Sequence, residues 1–182
     1  MHRSDRELIA GLKAGEMQNQ AFQMLVEKYQ ERLYWHVRRI VLDHDDADDV
    51  LQNTFVKVWK NLNNFREESG LYTWLYRIAT NESLTFINSR KRKRLFPMSE
   101  LSDYLVDNLE ADPYFDGDEI QEKLQKAVIT LPEKQRLVFN MKYFDNLKYK
   151  EISEILDTSV GALKASYHHA VRKIEEFLSK IE

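Results

Sequence analysis

Apolar residues recur along this chain at intervals of three and four, the period of an α-helix lying against a core. Phe22, Leu25, Val26, Tyr29, Leu33, Val37, Ile40 and Val41 keep that spacing and predict one long helix, with Glu27, Lys28, Glu31, Arg38 and Arg39 on its polar side. Leu8, Ile9 and Leu12 predict a short helix before it. A second long pattern covers about 46–62, with Leu51, Phe55, Val58 and Leu62 as its inward stripe. The acids of DHDDADD stand at its start, where the positive end of the helix dipole favours them. After the loop FREESG, residues 72–90 read as a third long helix, facing inward through Leu75, Ile78, Ala79, Phe86 and Ile87.

The period lapses over 95–119, which carries two of the three prolines and one of the five glycines, and this predicts a linker. Leu101, Tyr104, Leu105, Val106, Leu109, Tyr114 and Phe115 give it more apolar groups than a purely solvated tether needs. Helical spacing resumes over 120–130, then in LPEKQRLVFNMKYF with Pro132 in the first turn, then over 149–156 and 159–179. In the last helix Leu163, Tyr167, Ala170, Val171, Ile174, Phe177 and Leu178 face inward. Lys164, His168 and Arg172 lie opposite at steps of four. Asp157 suits a left-handed turn between the last two helices and Ser159 suits a helix cap. The expected fold is all-α: a helical bundle over 1–94 and a helix-turn-helix domain over 120–182, joined by the linker.

Composition agrees, with 43% hydrophobic and 31% charged residues and few glycines or prolines in 182. The absence of cysteine excludes a disulfide framework and thiolate metal sites. MHRSDRELIAGLKAGE has no apolar signal core and no apolar run reaches the length of a membrane span, so a cytoplasmic protein without membrane insertion is expected. The net charge of −3 conceals a segregation. Residues 1–94 hold 16 basic and 13 acidic side chains, 95–119 hold eight acids and no Lys or Arg, and 120–182 hold 11 basic and nine acidic. Two mildly basic blocks therefore flank an acidic connector, and the acidic total does not argue against nucleic-acid binding. No nucleophile–base set, phosphate loop or metal-ligand spacing stands out, with His36 and His44 left open individually. An enzyme, a metal and a cofactor are not expected.

Three surfaces offer binding chemistry. The last two helices suit a helix-turn-helix whose second helix reads base edges with its N-terminal turns. Gly161 and Ala165 permit close approach there, and Lys164 and Arg172 can reach phosphates; the same pattern also occurs in purely structural helix pairs. His168 and His169 point about 100° apart, which disfavours a shared metal. The basic run SRKRKR follows Tyr72, Trp74, Tyr76, Arg77, Asn81, Ser83 and Asn88, a mixture suited to stacking and tracking unpaired bases, although Trp74 and Tyr76 also fit an ordinary core. On the second long helix Asp45, Asp49, Gln52 and Val56 form a stripe with Asn53 and Trp59 at its edges, either an interaction face or a solvated one.

DADDVLQNTFVKVW, then Phe65 and Ser69 ahead of YTWLYRIATN, then the basic run, then LPEKQRLVF and a terminal helix-turn-helix, in that order, resemble the extracytoplasmic-function group of bacterial RNA polymerase sigma factors. The resemblance covers nearly the whole chain and is most specific in TWLYRIATN. It implies that the first domain, sigma region 2, binds core RNA polymerase through Asp49, Gln52, Asn53 and Trp59. It also implies single-strand capture of the minus-10 promoter element through the 66–70 loop, with Arg66 and Ser69, and through Trp74, Arg77 and Asn81; the basic residues Arg90, Lys91 and Arg92 adjoin this set. Region 4 would read the minus-35 duplex with Ser159, Gly161, Lys164, Ala165, Ser166, His168, His169 and Arg172. The acidic linker would thread a basic polymerase channel, and an anti-sigma factor is an implied partner.

The chain departs from the pattern at Ser166, His169 and Val171, where the family's recognition helices typically carry arginine, which lowers the expected phosphate affinity. Leu75 follows Trp74 where primary sigma factors have paired tryptophans, implying weaker duplex melting, and Leu71 replaces an aromatic. The expected function is promoter-directed transcription initiation. The competing readings are a stand-alone helix-turn-helix regulator with a sensing or dimerising N-terminal bundle, and an interaction adaptor without promoter specificity.

Overall fold

The computed structural model describes residues 4–93 and 119–180. Its helices are α1 (Asp5–Lys13), α2 (Gln18–Val41), α3 (His44–Lys60), α4 (Leu71–Lys93), α5 (Glu119–Ile129), α6 (Glu133–Tyr143), α7 (Tyr149–Leu156) and α8 (Val160–Leu178), with 3-10 turns at Gly15–Met17 and Leu62–Asn64. No strand occurs among the described residues. The acidic segment assigned as a linker lies outside the described residues except for Glu119, which opens α5.

Local chemistry sets the helix ends. Ser4 and Glu7 form a reciprocal capping box at α1, and Asp43 accepts from the Asp46 N–H at 2.9 Å to start α3. Helix α2 stops at Leu42, whose φ of 65° is left-handed and whose N–H still reaches the Arg38 carbonyl. A leucine avoids that conformation unless packing holds it, and the Leu42 side chain is buried. Asp157 takes the left-handed turn (φ 49°) between α7 and α8, and Ser159 Oγ accepts from the Ala162 N–H at 3.3 Å, as the sequence predicts. Pro132 stands immediately before α6 rather than inside its first turn.

Helices α1 to α4 bundle around Leu8, Leu25, Leu33, Val37, Leu75 and Ala79. Each fully buried leucine contributes about 1.5–3 kcal/mol through removal of apolar surface from water. Two expectations need correction. Helix α3 turns Ala47, Val50, Thr54 and Val58 inward, leaving Leu51 and Phe55 as half-buried flanks, because the Thr54 hydroxyl donates to the Val50 carbonyl at 2.8 Å and so can sit in the core. Arg38, assigned to the polar side of α2, is buried. Burial pushes its pKa down, and Tyr34 and Asp43 oppose that shift.

The second domain closes α5, α6 and α8 around Ala127, Val128, Leu131, Phe139, Ala170 and Ile174, with Phe139 stacked between Tyr143 and Tyr167. The main apolar cluster, however, continues across the domain boundary. Leu137, Val138, Met141, Leu147, Ile152 and Ile155 join the same buried network as Leu33 and Leu75. Helix α2 packs on α6 and α4 packs on α7. A linker between two separate cores does not anticipate this seam.

Candidate nucleic-acid interface

The outer side of α3 follows from its inner one. With Ala47, Val50, Thr54 and Val58 facing the core, Asp45, Asp49, Gln52, Asn53, Val56 and Trp59 are exposed together. Val56 is 49% and Trp59 39% exposed, and Trp59 is held edge-on against Phe22 at 4.9 Å. Carboxylates beside a fixed apolar ridge suit a protein partner better than DNA, whose phosphates the acids would repel. All four residues assigned to polymerase contact lie on this side.

The second surface begins at the loop before α4. Arg66 is exposed and lies 3.9 Å from the Glu68 carboxylate; Ser69 is half-buried. Trp74 rests against Phe65 with ring centroids 4.9 Å apart, so its indole is supported on one side and only half-covered. Arg77 and Asn81 follow at steps of three and four and are exposed on the same side of the helix. Tyr76 is 1% exposed and belongs to the core, against the His36 ring at 4.6 Å; burial pushes its phenol pKa up. Tyr72 is half-buried beneath the Arg32 guanidinium at 4.8 Å. Ser83, read as part of the polar surface, is buried and donates to the Ala79 carbonyl at 2.8 Å. Arg90 turns back to the nearly buried Asp46 carboxylate and lies over Phe86, so it ties α4 to the start of α3. The side chains of Lys91 and Arg92 lie outside the described residues.

The third surface is one side of α8. Leu163, Ala170 and Ile174 are buried, while Gly161, Lys164, Ala165, His168, His169 and Arg172 are exposed, as is the capping Ser159; Ser166 is half-buried. A methyl group at Gly161 would meet nothing within 4 Å, so this first turn is open to an approaching ligand. Lys164 Nζ lies 5.9 Å from the Tyr149 ring, and Arg172 pairs with Glu176 at 3.4 Å in solvent. No group of metal-binding side chains occurs among the described residues, and no described helix is long and apolar enough to cross a membrane.

One polar cluster escaped the sequence reading. Asp145, in the turn after α6, accepts from His36 Nδ1 at 2.7 Å and from Arg39 Nη1 at 3.0 Å. The detectable signal was His36 itself, a polar residue three positions after Leu33 on the buried stripe of α2.

Two family models match the chain, sigma-70 region 2 over residues 25–93 and sigma-70, region 4 over residues 121–174, together spanning well over half of it. The chain belongs to the sigma-70 family, in its extracytoplasmic-function group. The RNA polymerase sigma-H factor of Pseudomonas aeruginosa is 29% identical over 187 residues, covering 97% of this chain and 95% of that one. The ECF RNA polymerase sigma-E factor of Escherichia coli is also 29% identical over 187 residues, covering 94% and 93%. Among solved structures, the fold resembles CnrH in complex with the cytosolic domain of CnrY, with a TM-score of 0.72, 24% identity and coverage of 98% and 99%. It also resembles the sigma factor RpoE in complex with the anti-sigma factor NepR from Bartonella quintana, with a TM-score of 0.69, 21% identity and coverage of 87% and 96%. As a sigma factor, the protein directs core RNA polymerase to promoters for transcription initiation. Its α1–α4 bundle contains region 2, and its α7–α8 pair is the helix-turn-helix of region 4.

Proposed function

We propose a division of labour among the three surfaces. The α3 side, with Asp49, Gln52, Asn53 and Trp59, docks core polymerase; Trp74, Arg77 and Asn81, with Arg66 and Ser69 of the preceding loop, hold the unpaired minus-10 strand; and the exposed side of α8 lies on the minus-35 duplex. The observation that carries this reading is the alignment of a supported, half-open Trp74 with Arg77 and Asn81 on one side of α4. A stacking ring beside a cation and an amide meets the needs of a flipped or unpaired base, because every base offers a flat face and an edge. Arg90 belongs to the scaffold of this surface, through Asp46. The sigma factor works without a catalytic step of its own and acts in the cytoplasm, where polymerase and promoter are. The domains we assign are residues 1–94 and 120–182, bridged by the acidic linker. The two structural relatives are complexes with CnrY and with the anti-sigma factor NepR, which supports an inhibitory protein partner for this chain as well.

In vitro transcription with purified core polymerase and a promoter library tests the reading: promoter-specific transcripts are expected, and their absence with active, inhibitor-free protein sinks it. Gln52→Ala and Asp49→Ala are expected to weaken binding to core polymerase severalfold while leaving the fold intact, since both side chains are exposed. Unchanged affinity in both variants would move the docking site off α3.

A further inference from the structure

Helix α1 precedes the stretch matched by the region 2 model, which begins at residue 25, and none of its residues has a part in the binding surfaces above. It is nevertheless firmly mounted on the bundle. Leu8 and Leu12 are buried, Gly11 lies so close to α2 that a Cβ would come within 2.8 Å of Ala21 Cβ, and Asp5 accepts from Lys28 and Tyr29 at 2.7 and 2.6 Å. Lys13, next to the buried Leu12 in the last turn of α1, therefore leaves the helix from a fixed point. Its ammonium donates to the Glu67 carboxylate, in the loop before α4.

That loop is anchored by apolar burial at its two ends, through Phe65, against Trp74 at 4.9 Å, and through Leu71, which is 1% exposed. Between the anchors Arg66, Glu67, Glu68 and Gly70 are exposed and Ser69 is half-buried. Arg66 reaches Glu68 at 3.9 Å, inside the same loop, so that pair ties nothing to the bundle. Among the described residues, Lys13 supplies the side-chain ion pair that joins 66–70 to another element. Glu67 stands at φ 60°, in the left-handed region that a residue with a Cβ seldom adopts without support. Exposed ion pairs add little to global stability, but choosing between conformers of a short surface loop needs only a small bias.

The charges point the same way. Residues 66–70 carry one basic and two acidic side chains, and a net negative loop would repel the phosphates of a strand it is to hold. Lys13 cancels that excess.

We propose that Lys13 is a positioning residue for minus-10 capture: by pinning Glu67 in its left-handed turn, it presets the loop that presents Arg66 and Ser69 and so sharpens the choice of base made there. Lys13 acts through Glu67 and does not itself touch the base. The proposal rests on the reading that the 66–70 loop meets the unpaired strand.

Abortive transcription by holoenzyme, on promoters carrying each base in turn at each minus-10 position, gives a discrimination ratio for every position. If the untied loop holds the capture conformation about one-fifth of the time, Lys13→Gln lowers the ratio about fivefold at the position the loop reads. Affinity for a minus-35 duplex stays as in the parent, and Lys13→Arg retains the parent's ratio. Glu67→Gln separates pinning from charge. It removes an acid, so neutralisation alone predicts stronger capture with undiminished discrimination, whereas pinning predicts the same loss as in Lys13→Gln. Both side chains are about half exposed, so the variants should fold, with circular dichroism and urea midpoints as the check. Undiminished discrimination in either glutamine variant overturns the positioning role. So does Lys13→Arg performing as poorly as Lys13→Gln, or an equal fall in minus-35 affinity, which would mark a general structural loss. A parent that discriminates at no minus-10 position would count against the functional reading instead, so the two failures are distinct.

Discussion

Arg77 of α4 donates two hydrogen bonds to the backbone carbonyl of Glu154 in α7, joining the surface we propose for the minus-10 strand to the first helix of the region 4 helix-turn-helix. The guanidinium stays exposed although both bonds are made, so it has not been removed into the core. A cation over the last carbonyls of a helix is held by hydrogen bonding and by the negative end of the dipole together. The same two features make it transferable to a phosphate or a base edge, which offer comparable acceptors.

Arg77→Ala is therefore expected to reduce open-complex formation by about tenfold, equivalent to about 1.4 kcal/mol, a fair size for one charge-assisted hydrogen-bonding group. Arg77→Lys should recover only part of it, because the two donors of the guanidinium meet one acceptor in a fixed fork. Permanganate footprinting of the minus-10 region on holoenzyme would measure both. Full activity of Arg77→Ala would remove this residue from the single-strand surface.

Much of this organisation was legible in the chain. The long helices follow from their apolar spacing, and the Asp157 turn and Ser159 cap follow from side chains that favour those conformations. What failed was the assumption that inward means apolar. Thr54 and Ser83 are buried because each hydroxyl bonds a carbonyl one turn back, a solution that periodicity cannot register. Arg38 is buried beside Tyr34 and Asp43, close to it in the chain, whereas the Asp145 partner of the buried His36 lies 109 residues away. Arg90, at the start of the basic run, pairs with Asp46 across the bundle, a partner that no local pattern announces. The seam between domains was invisible for the same reason, since complementary groups on separate helices carry no local signature.

Gly11 shows how closely α1 crosses α2. A methyl group there would approach Ala21 Cβ to 2.8 Å, and neither atom is the end of a flexible side chain. Gly11→Ala would gain about 1 kcal/mol of helix propensity and lose about 1–3 kcal/mol to overpacking. The expected outcome is net destabilisation, by up to about 2 kcal/mol, read as a lower midpoint in urea. A stabilised variant would show that α1 shifts freely on α2.

The docking of α1 should also depend on pH. Asp5 accepts from Lys28 at 2.7 Å and from Tyr29 at 2.6 Å. Burial acts to raise its pKa, but the hydrogen bonds from Lys28 and Tyr29 and the Lys28 charge outweigh it, and the net shift is downward. A depressed folded-state pKa stabilises the native protein at pH values above the ordinary carboxylate range, and that contribution disappears as pH falls through the depressed value. Asp5→Asn should accordingly cost stability at neutral pH and little near pH 2, in urea titrations at the two pH values. An equal loss at both would mean that Asp5 acts through hydrogen bonding alone.

The recognition helix makes the most quantitative prediction. Lys164 and Arg172 are its exposed cations on the side we propose for DNA, and Arg172 already has Glu176 beside it, so Lys164 is the better placed of the two to meet a phosphate. Each phosphate contact releases about 0.9 counterion from duplex DNA, so Lys164→Ala should flatten the dependence of log affinity on log salt by about one unit. It should weaken promoters of different minus-35 sequence alike, because a phosphate contact positions without reading bases. Ala165→Arg should do the reverse and steepen the slope, supplying a charge on the next exposed position of the same turn. Anisotropy titrations of holoenzyme on minus-35 duplexes between 50 and 200 mM salt measure these slopes. If Lys164→Ala instead changes the preferred sequence at constant slope, its ammonium reads a base edge, and one of the few fixed charges on α8 is then a source of specificity.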